Sequence, residues 1–119
     1  MTDSKNLGIW GENFAKVYLE QKSYIFCDSN YRGPGGEIDL IFRFNKQYIF
    51  VEVKTRIKTS ESRYENPLLK WQTKNLQRTI IDYCRRHHIS LDSIRLDLIF
   101  ILVDRTKRLA DIKHYPDIL

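Results

Sequence analysis

Apolar and polar positions alternate along the chain in ways that divide it into helices and strands. Leu7, Trp10, Phe14, Val17 and Tyr18 recur at i, i+3, i+7, i+10 and i+11, an apolar stripe at the helical period that predicts a first helix. Gly8, Gly11 and Ala15 form a strip of small residues beside it, and Glu12 falls off the stripe, close to that strip. Tyr24 to Tyr31 is rich in aromatic and strand-favouring side chains and predicts a first strand. Gly33-Pro34-Gly35-Gly36 marks a turn. A second strand follows over Glu37 to Phe44, then Asn45-Lys46 as a tight hairpin turn, then a third strand over Gln47 to Thr55. The third strand is apolar on both faces until its charged end, which suits a central strand covered on both sides. Arg56 to Asn66 is polar and reads as a loop. Pro67 suits the first turn of a second helix running to about His88, with Leu69, Leu76, Ile80, Tyr83 and Cys84 inward. Ile94 to Val103 is strongly apolar and predicts a buried strand, and Leu109 to Tyr115 a weaker strand at an edge. The order is α-β-β-β-α-β-β, an α/β fold with a mixed sheet flanked by helices in two or three layers.

Composition narrows the class. No repeat, low-complexity tract or linker divides the 119 residues, so 1–119 reads as a single domain. With 42% hydrophobic and 29% charged residues the chain is not wholly disordered. No run approaches the roughly 18–20 apolar residues of a membrane span, and the opening Met1 to Asn6 lacks the apolar core of a secretory signal. Cys27 and Cys84 are too few for a disulfide scaffold, so reduced thiols in the cytoplasm, with no membrane partner, are the expectation.

Charge gives the first indication of a partner. The net charge is +5, from 20 Lys and Arg against 15 Asp and Glu. The excess is local: Lys54 to Arg86 holds nine basic residues and three acidic ones, leaving the rest near neutral. A basic segment on a near-neutral body fits a polyanion, nucleic acid first. Lys70, Lys74, Arg78 and Arg85 recur at helical spacing and share one face, either a rail for phosphates or a solvated face opposite the inward residues. The loop residues Arg56, Lys58 and Arg63 either close over nucleic acid or belong to a disordered connection.

The candidate chemistry sits in the second and third strands. Glu37 and Asp39 are two apart, as are Glu52 and Lys54, so each pair shares a face of its strand. Counting outward from Asn45-Lys46 sets Asp39 opposite Glu52. Opposed carboxylates repel and are unfavourable to bury unless a cation lies between them. A divalent ion on oxygen ligands resolves this, with Mg²⁺ the usual choice, or Mn²⁺, where phosphate is the substrate. Lys54 beside the ion suits phosphodiester hydrolysis, orienting or helping to deprotonate a water and stabilising charge on the phosphate. An ordinary surface pair, worth ~0–1 kcal/mol, does not require four charges to converge on an otherwise apolar hairpin.

Gly33-Pro34-Gly35-Gly36-Glu37-Ile38-Asp39-Leu40-Ile41 and Phe50-Val51-Glu52-Val53-Lys54-Thr55-Arg56 resemble the signature of the restriction-endonuclease-like superfamily, an Asp followed by Glu-x-Lys. Gly8-Ile9-Trp10-Gly11-Glu12-Asn13-Phe14-Ala15 and Asn30-Tyr31-Arg32 extend the likeness to the YraN family of predicted endonucleases, themselves similar to archaeal Holliday-junction resolvases. The resemblance runs from residue 8 to about 104. It implies a restriction-endonuclease-like core and a metal-dependent endonuclease acting on DNA, with branched or junction DNA as one substrate class. It further implies 5′-phosphate and 3′-hydroxyl ends and a two-fold homodimer. By the same resemblance Asp39, Glu52 and the Val53 carbonyl hold the metal, Lys54 serves the attacking water, and Glu12 approaches from the first helix. Glu37 either caps the edge of the site or meets a second ion. Arg32, Arg56, Lys58, Lys70, Gln72, Lys74 and Arg78 are the expected nucleic-acid contacts. Ile38 replaces the superfamily's proline, and Gln72 stands where the family usually has a lysine near the start of the second helix. The alternative from another class is a non-catalytic nucleic-acid-binding module, or an accessory subunit of a DNA-processing assembly.

The remaining polar residues read as structural. His87, His88 and His114 have no cysteine at zinc spacing and read as helix-end and surface residues. Cys27 and Cys84 read as core residues, and Trp10 as core or interface. Trp71 is core, interface or a platform for a base. Arg95 and Asp97 either support the site or form a structural ion pair.

Overall fold

Asn45 and Lys46 take φ of 50° and 66°, the left-handed pair that a two-residue hairpin needs to match strand twist, and they close a hairpin at Phe44 and Gln47. In the computed structural model, which describes residues 4–60 and 70–119, this hairpin lies at the middle of the molecule. The elements are α1 (Ser4–Gln21), β1 (Ile25–Gly33), β2 (Gly36–Phe44), β3 (Gln47–Ile57), α2 (Lys70–His87), β4 (Ile94–Asp104) and β5 (Leu109–Tyr115), in the predicted order. A short 3₁₀ turn, Leu91–Ser93, leads into β4. Pro34 and Gly35 connect β1 to β2 across the Gly33–Gly36 pair, with Gly36 at φ 116°, a value side chains disfavour. β3 runs on through Ile57, so Arg56 belongs to a strand and not to a loop. Arg63, Pro67 and Leu69, and the side chain of Trp71, lie outside the described residues.

The five strands form one sheet in the order β1-β2-β3-β4-β5. Only the β3–β4 pair is parallel, and α2 lies in the crossover that a parallel pair requires. The strongly apolar β3 is central, with Ile49, Phe50 and Val51 all fully buried. Successive strand residues face opposite ways. Ile49 and Val51 pack with Ala15 and Leu19 of α1, whereas Phe50 packs with Leu76, Ile80 and Tyr83 of α2. The helices therefore cover opposite faces, which settles the architecture as three layers. Among the described residues no helix is long and apolar enough to cross a membrane.

The first helix buries a different face from the one its apolar stripe predicts. Gly11, Ala15 and Leu19 are buried, whereas Trp10 and Val17 are 41% and 54% exposed. A Cβ on Gly11 would overlap Thr55 Oγ1 of β3. The helix axis comes so close to the sheet there that only small residues fit, and the bulky stripe turns toward the sheet's far edge, where Phe14 and Tyr18 line a groove with Ile112. Two further readings change. Cys27 is exposed at the β1 register shift and not in the core, and His114 is largely buried and not a surface residue.

The strand that carries Asp39 is irregular at that residue. Ile38 and Ile41 pack on the α2 side, while Leu40 and Phe42 pack on the α1 side. Residues 38 and 40 share parity, so the alternation of β2 breaks at Asp39. On β1 the same level holds Asn30, at φ 52°, between the pairs Ser29↔Leu40 and Tyr31↔Ile38.

Candidate metal centre

Asp39 marks the place where the central hairpin comes apart. The β2–β3 ladder ends at Leu40↔Val51, one step short of an Asp39↔Glu52 pair. Beyond it the Asp39 carboxylate takes the place of a backbone acceptor, receiving the Val53 N–H at 2.8 Å. Asp39 is 8% exposed, and its carboxyl lies against that of Glu52. Burial first, and the Glu52 charge second, push the Asp39 carboxyl up to about 8. Burial likewise raises Glu52, although its contact with Asp39 and the charge of Lys54 work against the rise. Lys54 Nζ stands 3.6 Å from Glu52 Oε1, as the two-residue spacing on β3 requires.

Two more carboxylates approach, Glu12 from α1 and Glu37 from β2 itself, two residues before Asp39. Glu12 follows Gly11 on α1, so the close helix–sheet seam carries it to the mouth of the site. Burial raises the Glu12 carboxyl, the Asn30 hydrogen bond opposes this, and Asp39 and Glu37 add to it. Glu12, Glu37 and Asp39 each offer an oxygen, all within 4.8 Å of one another. Glu37 thus lies inside the cluster. Asn30 Nδ2 donates to Glu12 Oε1 at 3.0 Å and to Glu37 Oε1 at 2.9 Å, and Arg32 Nη2 meets Glu37 Oε2 at 3.1 Å.

This donor set fits a hard divalent cation. All of its ligand atoms are carboxylate oxygens, as Mg²⁺ or Mn²⁺ prefers, with no sulfur or imidazole among them. Its innermost member is a buried carboxyl, pushed up by burial first and by the neighbouring Glu52 charge second. An exposed acidic cluster has no such member, because water screens it.

The profile of the Uncharacterised protein family UPF0102 matches residues 11–101, a span that takes in Glu12, Asp39, Glu52 and Lys54. The chain belongs to the UPF0102 family. A UPF0102 protein of Syntrophomonas wolfei is 33% identical over 104 residues, covering 87% of this chain and 90% of that protein. One of Shewanella sediminis is 40% identical over 92 residues, 76% of this chain and 77% of its own. One of Leifsonia xyli is 31% identical over 119 residues, the whole of both chains.

The basic residues of this UPF0102 chain fall into distinct settings. Lys74 and Arg78 are exposed on α2. The β1–β2 turn is tied to that helix: Gly35 N–H donates to Thr79 Oγ1 at 2.8 Å, and the hydroxyl donates to Gly36 O at 3.0 Å. Helix α2 and the strand bearing Asp39 are therefore joined through Thr79, which is fully buried. Arg32 is exposed and engaged with Glu37. Arg56 is exposed and bonded to the Thr55 carbonyl at 2.9 Å. Lys58 pairs with Asp104 at 3.8 Å, at the far end of β4. The side chains of Lys70 and Gln72 lie outside the described ones. Asn30 and Thr79 also belong to the site's surroundings. The Asn-x-Arg spacing is the sequence signal for Asn30, and asparagine tolerates the left-handed backbone it adopts there.

Proposed function

We propose that this UPF0102 protein is a divalent-metal-dependent endonuclease that hydrolyses DNA phosphodiester bonds, with branched DNA among its substrates. The observation that carries the reading is the buried Asp39–Glu52 carboxylate pair, short of countercharge, with Lys54 at its edge and Glu12 beside it. Burying two adjacent carboxylates is unfavourable unless a cation answers them. The resemblance of the Asp39 and Glu52-x-Lys54 segments to restriction-endonuclease-like enzymes supports the same conclusion.

Asp39, Glu52 and Glu12 would hold Mg²⁺ or Mn²⁺, with the Val53 carbonyl completing the set by the same resemblance. A bound divalent ion supplies Lewis-acid polarisation of the phosphate and a lower water pKa. The chain's own residues do the rest. The Val53 N–H holds the Asp39 carboxylate in one orientation. The Lys54 ammonium orients the attacking water and meets the negative charge that grows on the phosphate. Water oxygen bonds to phosphorus and the bond to the 3′ oxygen breaks; the water's proton passes to that oxygen, leaving a 5′-phosphate and a 3′-hydroxyl. Lys74 and Arg78 meet backbone phosphates and set the register of the duplex. Paired nicks across a junction call for a two-fold dimer, which light scattering tests.

The test is cleavage of a labelled four-way junction, a linear duplex and a single strand in Mg²⁺ and in Mn²⁺, with Lys54→Ala and EDTA lanes beside them. Metal-dependent cutting that disappears in Lys54→Ala is the expected result. Binding without cutting on every substrate would turn the reading to a non-catalytic DNA-binding module.

A further inference from the structure

Asn30 sits where three elements meet the carboxylate cluster. Its backbone is left-handed at φ 52° and lies at the level where β2 changes the face it presents. Its amide nitrogen has two protons and spends one on Glu12 of α1 and one on Glu37 of β2. The nitrogen and not the oxygen must point inward, because the oxygen would face two acceptors. Arg32 fixes the other oxygen of Glu37. Asn30 itself is exposed, so packing does not hold the side chain in place; the two carboxylate bonds do.

We infer that Asn30 is a positioning residue that sets the spacing of Glu12 and Glu37 around Asp39 and so tunes the affinity of the centre for a divalent ion. The inference rests on the metal-centre reading above. A neutral double donor suits this task. A lysine or arginine at the same place would supply the countercharge and compete with the cation, and an aspartate would add a fifth carboxylate to Glu12, Glu37, Asp39 and Glu52, with no proton to bridge them. The amide ties two acids from different elements while leaving their charge for the ion. The left-handed backbone is what aims it there.

The test is Mn²⁺ binding by titration calorimetry to the full chain and to Asn30→Gly and Asn30→Ala, with thermal melts of all three in EDTA. Glycine tolerates the left-handed backbone and alanine resists it, while both remove the amide. Both variants are expected to bind Mn²⁺ about 10–100-fold more weakly than the parent, the usual consequence of losing a residue that orients a ligand. A glycine variant that binds as tightly as the parent overturns the inference, whether or not alanine weakens binding, because the backbone alone would then account for the site. A parent that takes up no Mn²⁺ overturns the metal-centre reading and this inference together, and the parent titration distinguishes the two failures.

Discussion

Two aspartates on one sheet, Asp39 on β2 and Asp97 on β4, are both buried and behave in opposite ways. Burial pushes the Asp97 carboxyl up, but His114, Arg95 and the Asp117 N–H together outweigh it and hold the group below the ordinary range. Arg95 reaches both oxygens, at 2.8 and 2.9 Å, His114 Nε2 lies 2.7 Å from one, and the Asp117 N–H donates at 3.0 Å. Arg95 also donates to Tyr24 at 2.7 Å, tying the start of β1 to the same network. Asp39 receives one backbone N–H and lies against another acid, and its carboxyl rises to about 8. Burial is common to both, so burial does not decide what a carboxylate is for. The supply of donors decides it. At Asp97 the charge is spent on structure, which answers the question left open by the Arg95–Asp97 spacing. At Asp39 a single backbone N–H and a neighbouring acid provide no such network among the described residues.

The largest effect that separates the two regions is on stability. Asp97→Ala leaves Arg95 and His114 facing each other without their acid, and equilibrium unfolding in urea should show a loss of about 3–5 kcal/mol. Next comes activity. Lys54→Ala should cut DNA cleavage by about 10²–10⁴-fold in single-turnover assays, while its stability falls clearly less than that of Asp97→Ala, because the Lys54 side chain is 26% exposed. A Lys54→Ala variant as unstable as Asp97→Ala would erase the distinction.

The dependence on pH sharpens it further. Asp39 and Glu52 hold protons more tightly folded than unfolded. Metal-free protein should therefore lose stability as pH climbs from about 4, the unfolded carboxyl value, toward about 8. Asp97, held low, contributes above its unfolded value and loses that contribution as pH falls below it. Melting temperatures in EDTA across this range should fall on the alkaline side, and Asp39→Asn should flatten that fall while leaving the acid limb. The smallest effect lies outside both centres. Arg78→Ala should lower the slope of log affinity for DNA against log salt by about one, with little change in melting. An unchanged slope would remove Arg78 from the phosphate rail.

Local chemistry made much of this legible in the sequence. Asn45-Lys46 announced its turn, and the turn fixed a count that brought Asp39, Glu52 and Lys54 together. The i, i+2 spacing of Glu52 with Lys54 survives in the structure as the 3.6 Å contact, whereas Glu37 and Asp39 meet in the cluster at the break in the alternation of β2. Less legible were features set by tertiary approach. Hydrophobicity ranks Trp10 and Val17 above Gly11 and Ala15, yet the seam of α1 follows Gly11, because Thr55 leaves room for nothing larger. The partnership of Asp97 with His114 spans 17 residues and depends on how β5 returns along β4, so neither residue signals it alone. Asn30 is a similar case, aimed by a backbone kink at acids from two other elements.

The most direct measurement is equilibrium unfolding of the parent and Asp39→Asn, each in EDTA and in excess Mn²⁺. If Asp39 is a ligand for a cation, Asp39→Asn is at least as stable as the parent in EDTA, and Mn²⁺ stabilises the parent far more than the variant. An Asp39→Asn protein destabilised in EDTA to the degree of Asp97→Ala, or stabilised by Mn²⁺ as much as the parent, would contradict the account.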